Sequence, residues 1–582
     1  MKKKLNKNRA GFSLVEALLS SALLSLLLTI VAGAVIYGSD SSVVSGDRNR
    51  ALYLAEEGIE AVRNIRDSGF ANLTNGTWGL ITSTNIWSLS GSSNTIEIFN
   101  RSVQVGSIDA NTKSVTSTVS WMSNSVRNSS VSVNTRITNW LSPLMLLGDS
   151  ILIYGDGTNI PKFRTYDATP NTFSIENSTL TNNIGRTYII RTSPSSSEAI
   201  AGFVTSAGVL NVMCFDGLSW TQEWTTTVGG TGTTRPFDIS YETNTGDAVV
   251  LYGTNTTVSN ELGYRTKTGS LGCGSGNWSA GTTMNAARTN GIVEWVKMAW
   301  DKRTSSNLIT AIWADNASLL SSLIWSGSAW VNEPATLHET TLERVSASQD
   351  VEDFDVEYES LSGNIMVVWA RSTGNNGTNG VRYRRCTGGI SLCTWGAITT
   401  PPTFRDDATN LDISASPTSD QIVFASIGNA GSDLQIGFWN GASWTNTANA
   451  DTSCGTPIAG SKLVSTGWLV SGGTARSVIR YVDSGSNDLD WYVGNAGTFT
   501  KQTDFAQSPA TNGSRYFDIQ MDPLSQDQLL SFASDSANDL FAKRLRMTSV
   551  PGFTWTNSDG SALSTILPQS INSPFSSAFW RK

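Results

Sequence analysis

The sequence predicts a mainly β fold with a long N-terminal α-helix: a small module in which that helix packs on an antiparallel sheet, then a seven- or eight-bladed β-propeller. Three observations predict it. An apolar run opens the chain, strands of alternating polarity follow, and a unit of about 55 residues then recurs to the C-terminus. With 582 residues the chain is too long for one ordinary domain. Its 52 Gly, 20 Trp and 15% charged residues suit an extracellular β-rich protein with many polar turns. The net charge of −8 argues against a broad electrostatic grip on nucleic acid.

The helix comes first. Lys2, Lys3, Lys4, Lys7 and Arg9 precede a run from Phe12 to Tyr37 whose one charge is Glu16. At 1.5 Å per residue that run spans roughly 39 Å, enough for a bilayer core of about 30 Å. The basic residues hold the N-terminus in the cytoplasm and place the rest of the chain across the inner membrane. A carboxylate inside a spanning helix costs a few kcal/mol and marks a functional residue that needs a partner. Beyond Gly38, the segment RNRALYLAEEGIEAVRNIRDSGF returns to helical periodicity. Leu52, Ala55, Ile59, Val62 and Ile65 fall on one face, and Glu56, Glu57 and Glu60 precede Arg63 and Arg66. One helix from Phe12 to about Asp67 is expected.

The motif G-F-S-L-V-E, Gly11 to Glu16, placed between a basic leader and an apolar run, resembles the class III signal of type IV pilins and type II secretion pseudopilins. An ordinary secretory signal carries its cleavage site after the apolar run, whereas here the boundary lies before it. The resemblance implies that prepilin peptidase cuts between Gly11 and Phe12 and N-methylates Phe12. It implies that Glu16 pairs with the Phe12 amine of a neighbouring subunit when helices bundle into a filament, and that other pilins or pseudopilins are partners. The segment LAEEGIEAVRNIRD also resembles the second half of the helix in minor-pilin proteins. The helix-breaking Pro that many pilins carry in the apolar half is absent, and Gly33 is the weak point there.

From Ala71 to Trp140 the period becomes two. NTIEIFNRSVQVGSI alternates around Ile96, Ile98, Val103 and Val105, and SVTSTVSWM and SVSVNTRITNW add two strands. Residues 1–11 are thus read as leader, 12–37 as the spanning half of the helix, 38–142 as amphipathic helix and pilin-like sheet, and 143–582 as the repeat domain.

The repeats are visible as copies. FDISYETNTGDAVVLYG from Phe237 matches FDVEYESLSGNIMVVWA from Phe354, LDISASPTSDQIVFASI from Leu411 and FDIQMDPLSQDQLLSFA from Phe517. Looser copies begin at Val296 and near Val464, and ILIYGDGTNIPKFRTY from Ile151 supplies a further blade. Each unit reads as four strands closed by an aromatic: Trp220, Trp278, Trp330, Trp395, Trp444, Phe499 and Trp555. Four strands per unit with a recurring aromatic is the pattern of a propeller, each aromatic wedged between blades.

No catalytic residues are assigned and no cofactor is expected. No carboxylate pair stands out for glycoside hydrolysis, and no nucleophile or phosphate-loop motif is present. The segments at Phe215, Trp325 and Trp439 resemble fragments of the Asp-box turn of sialidase propellers, a structural element. His338, the one histidine, reads as a surface residue in PATLHET. Asp483, Asp488 and Asp490 are weak calcium candidates whose spacing fits acidic turns better. Cys386 and Cys393 are close enough to clip a hairpin as a disulfide; Cys214, Cys273 and Cys454 read as small buried residues. The reading is a non-enzymatic minor pilin displaying its propeller for adhesion to a surface ligand, glycan or protein. The alternatives are a pseudopilin of a secretion or DNA-uptake system and a tethered glycan-active enzyme.

Overall fold

A computed structural model describes residues 13–68, 70–83, 86–108, 112–123, 127–138, 149–158, 160–179, 185–230, 234–285, 290–343, 352–372, 380–388, 393–401, 408–428, 433–455, 460–483, 489–502, 516–534, 538–548, 552–557 and 575–580. The chain divides into two units, Met1–Leu144 and Met145–Lys582.

In unit 1, α1 runs unbroken from Leu14 to Ser68. The hydroxyl of Ser13 accepts the Val15 N–H at 3.3 Å and caps its start. A six-stranded antiparallel sheet follows, in the spatial order Ile86–Ser90, Gly76–Ser83, Phe99–Ser107, Thr112–Met122, Asn128–Thr138, with Asn94–Ile96 paired to Phe99–Ser107. The C-terminal half of α1 packs on it: Ile59, Val62 and Ile65 meet Val103, Val105, Val115 and Ile137, while Ala51 and Ala55 leave room for Phe99 and Trp121. Leu52, expected on this face, is 38% exposed, and Ala51 takes the inward position. The small alanines bring the helix close enough for the sheet to supply the bulk. Ile98 also departs from expectation. It lies in the turn between the strands ending at Ile96 and starting at Phe99, is 57% exposed, and Phe99 carries the inward phase instead.

Unit 2 contains seven four-stranded sheets and one five-stranded sheet among its described residues, all antiparallel. In chain order, sheets 2 to 8 are led by the strands Gly185–Thr192, Phe237–Tyr241, Val293–Trp300, Phe354–Tyr358, Ala408–Ala415, Val464–Ser471 and Tyr516–Met521. Sheet 1 draws on both ends of the unit: Phe575–Phe579 pairs with Ser150–Tyr154, which pairs with Lys162–Asp167 and so outward. Strand burial explains the apolar runs in the copies. Ala248–Gly253, Ile309–Asp315, Ile365–Ala370 and Ile422–Gly428 are buried at every position, because each sheet is covered on both faces.

What covers them is the next sheet. Ile189, Val212 and Trp224 of sheet 2 pack on Phe237, Val250 and Trp278 of sheet 3. The pattern repeats around the unit until Leu530 and Phe532 of sheet 8 meet Leu152, Tyr154 and Phe575 of sheet 1. The closing aromatics lie where expected, at the outer edge and between sheets; Trp555 of sheet 8, for example, stands edge-on to Trp491 of sheet 7 with centroids 5.4 Å apart. The fold is mostly β with one long helix, and unit 2 is propeller-like.

Candidate functional site

The first site is the exposed half of α1. Gly11 and Phe12 lie outside the described residues; Glu16 stands in the first helical turn. Around and beyond it the apolar side chains are bare, from Leu14 at 78% exposed to Tyr37 at 78%, and the segment's most apolar window has mean hydropathy 2.3. By length and composition this helix can cross a membrane. Its hydroxyls are satisfied within the helix: Ser20 donates to the Glu16 carbonyl at 2.7 Å, Ser25 to Ala22 at 2.9 Å and Thr29 to Ser25 at 2.8 Å. Glu16 is different. Among the described residues no side chain pairs with it, so an apolar environment leaves its charge to be met by another molecule.

The second site is the interior of unit 2, where the leading strands of successive sheets lie side by side. Between five successive pairs of strands, a side chain on one reaches the backbone of the next. Asp238 accepts the Met298 N–H at 2.9 Å, Asp355 that of Ile413 at 2.9 Å and Asp412 that of Thr466 at 2.8 Å. The hydroxyls of Ser465 and Ser576 do the same for Ile519 and Ile190, at 3.2 and 3.1 Å. Cations interleave with these acids. Lys297 meets Asp355 at 2.7 Å, Lys462 meets Asp412 at 3.0 Å and Asp518 at 2.8 Å, and Arg235 meets Glu352 at 2.7 Å. Burial raises the Asp355 carboxyl to about 7, with Asp412 adding to the rise against the pull of Lys297. Burial opposes ionisation of Asp518 and Glu352 too, yet Lys462 holds the first and Arg235 the second below the usual carboxylate range. Sequence reasoning did not assemble this network, because its members come from separate copies of the repeat.

A related brace was missed although its signal was present. Glu242 of sheet 3 accepts the Trp325 indole N–H at 2.6 Å, and Glu359 of sheet 5 accepts that of Trp439 at 2.8 Å. Both glutamates occupy the same place in their copies, YETNTGD and YESLSGN. Arg385 pairs with Glu359 at 2.7 Å and lies over the Trp439 ring. The Asp-box-like segments are turns: Asp216 accepts the Leu218 and Ser219 N–H groups, and Asn440 those of Ala442 and Ser443.

Cys386 and Cys393 form a disulfide with Cα atoms 5.3 Å apart. Cys214 and Cys273, expected as unpaired core residues, form a second, 5.5 Å between Cα atoms. They are 59 residues apart in sequence, and only the stacking of sheet 2 on sheet 3 brings them together. Both sulfurs lie close to Glu198, but they are bonded to each other and Glu198 is held by Lys267 at 2.6 Å, so this trio presents no thiolates to a metal. Cys454 is buried and unpaired; burial and the nearby Asp451, Asp483 and Asp433 push its thiol up.

His338 is not a surface residue. It is 1% exposed, packed against Trp369 and Trp395, with Nε2 2.8 Å from the Ser322 hydroxyl. Of the calcium candidates, Asp488 lies outside the described residues. Asp490 is buried and held by Lys501 at 2.7 Å and the Tyr481 hydroxyl at 3.2 Å, so an ammonium already supplies its counter-charge. Asp483 bridges backbone to backbone with Cys454.

Residues 6–32 match the model of the prokaryotic N-terminal methylation motif. No curated protein matches the chain. Among solved structures, the chain is similar to the BP39L lectin from Burkholderia pseudomallei, at 13% identity over 65% of this chain and 99% of that one, TM-score 0.43. It is similar to polysaccharide lyase Uly1 at 8% identity over 65% and 92%, TM-score 0.38, and to the six-bladed lectin of Aleuria aurantia at 11% over 66% and 96%, TM-score 0.31. Likeness at these scores says nothing about what this chain binds. What stands is that a prepilin-type N-terminal methylation motif, on a long apolar helix, is joined in this chain to a β-propeller-like repeat unit.

Proposed function

We propose that this chain is a minor pilin of a type IV pilus or related filament. Prepilin peptidase processes it at Gly11–Phe12, and it carries an eight-bladed propeller that binds a surface ligand in adhesion. The observation that carries the reading is Glu16, a carboxylate without a partner among the described residues, in the first turn of a bare apolar helix inside the methylation motif. Two charges too costly to bury singly become tolerable as a pair, and a methylated Phe12 amine on a neighbouring subunit supplies the second. The helix on its sheet in unit 1 is the shaft module; unit 2 is its cargo. Two disulfides support placing unit 2 outside the cytoplasm, where thiols are oxidised. The role is non-enzymatic. The acids of the interior are tied to lysine, arginine or backbone N–H groups, as a structural network requires and a glycoside-cleaving pair does not.

Mass spectrometry of the N-terminus, on protein from sheared surface filaments, tests the reading. A first peptide starting at N-methylated Phe12 is expected. An intact Met1 or Lys2 start, with all protein retained in membranes, would overturn it.

A further inference from the structure

We propose that Lys267 and Glu198 condense into an amide, so that an isopeptide bond joins sheet 2 to sheet 3 within unit 2. Glu198 leads into the strand Ala199–Thr205 of sheet 2, and Lys267 ends the strand Leu262–Lys267 of sheet 3. The two side chains meet with Nζ 2.6 Å from Oε2. Lys267 is 1% exposed in its side chain and Glu198 8%. In the other lysine ion pairs among the described residues the lysine side chain is 16% to 41% exposed. The Lys267–Glu198 pair is the one shut away from water.

The hydrogen bonds around it are those an amide would keep. The Tyr241 hydroxyl donates to Glu198 Oε1 at 2.9 Å, and Nζ donates to the Leu271 carbonyl at 2.6 Å. Among the described residues Oε2 accepts from Lys267 alone, so it is the oxygen free to leave. Condensation balances without any added reactant. A proton passes from the ammonium to Oε2, and the freed Nζ lone pair forms the bond to Cδ of Glu198. The bond from Cδ to Oε2 then breaks, its electron pair staying on the oxygen, which departs as water. Of the three ammonium protons, two leave with that water and the third remains as the amide N–H to Leu271. Tyr241 steadies the charge that develops on Oε1. Glu223, also buried, interacts electrostatically with both partners, and burial raises its carboxyl, so a second group able to hold a proton adjoins the pair.

Burial supplies the driving force. Two charges taken out of water lose hydration that their mutual attraction does not fully return, and a neutral amide removes both. The fold also holds amine and carboxyl in contact, which gives their reaction the advantage of an intramolecular step. The Cys214–Cys273 disulfide crosses the same seam, its sulfurs close to Glu198. An amide beside it would hold the two sheets together even after reduction. The bond stands on this pair alone; its use in bearing load on an adhesive filament rests on the reading above.

Peptide mass spectrometry of the full chain, reduced, alkylated and digested with trypsin, tests it. In most chains a branched peptide is expected that contains both Glu198 and Lys267, lighter than its two parts by one water and uncut after Lys267. The variant Lys267→Arg keeps the charge but offers no amine, and is expected to give the two peptides separately. Glu198 and Lys267 recovered mostly in separate, unmodified peptides from the parent chain would overturn the bond. So would a branched peptide that persists in Lys267→Arg. Neither result depends on whether Phe12 is processed.

Discussion

Gly58 sits where α1 lies against Ser117 and Arg101 of its sheet. A Cβ there would press into the Ser117 hydroxyl and lie 3.3 Å from Cδ of Arg101, which is itself buried and paired with Glu57 at 2.8 Å. Alanine is the better helix former by about 1 kcal/mol, so propensity and packing pull in opposite directions. Packing should win: Gly58→Ala is expected to destabilise unit 1 by about 1–3 kcal/mol, read from its calorimetric transition. His338 makes a second prediction, in pH. Burial, with Arg384 nearby, pushes its imidazole down to about 3, against about 6.5 in an unfolded chain. Below pH 6.5 the unfolded state takes up a proton that the folded state refuses. Stability is therefore full above 6.5 and falls as pH drops toward 3, by about 1.4 kcal/mol per pH unit from this residue. Urea unfolding at pH 7 and pH 5 should show the loss, and His338→Gln should flatten it. Neither residue was legible in the sequence: Gly58 looks like any helix glycine, and the short polar-flanked stretch PATLHET shows no period that would announce the packing of Trp369 and Trp395 over its histidine.

At the level of elements, legibility followed locality. The apolar run, the period-three-and-four face of α1 and the F-D-I/V copies all lie within a few residues of one another, and each gave its helix or strand. The helix face was misplaced by one position, Leu52 for Ala51, because leucine scores as core whether or not the sheet leaves space for it. Pairings across sheets were not legible. The Cys214–Cys273 bridge closes a loop eight times longer than Cys386–Cys393, 59 residues against 7. On the chain-entropy account these are worth roughly 4 and 2 kcal/mol. Replacing the first pair with alanine should therefore lower the stability of unit 2 about twice as much as replacing the second, in denaturant titrations under non-reducing conditions. Equal losses would show that local packing, not loop closure, sets their value.

At the scale of the molecule, the strand Phe575–Phe579 does the most with the least. It is buried throughout, and it is the inner neighbour of Ser150–Tyr154 in sheet 1. The Ile190 N–H leans on its Ser576, and Thr192 donates to the Phe579 carbonyl at 2.5 Å. Deleting residues 574–582 is expected to expose the apolar faces of sheets 1 and 8 and abolish the cooperative melting of unit 2, leaving unit 1 folded; circular dichroism with limited proteolysis would check it.

That closing strand also dictates a timetable. The inner edge of the first sheet is made from residues more than four hundred positions downstream of the strand they pair with, so the unit cannot complete itself until they have emerged. Seven sheets can form in sequence, each stacked on the one before, while the two terminal faces wait as sticky ends. The final step is the closure of a loop of more than four hundred residues, slow by its sequence separation and open to aggregation until it occurs. A cell making this protein has to shelter an almost finished ring.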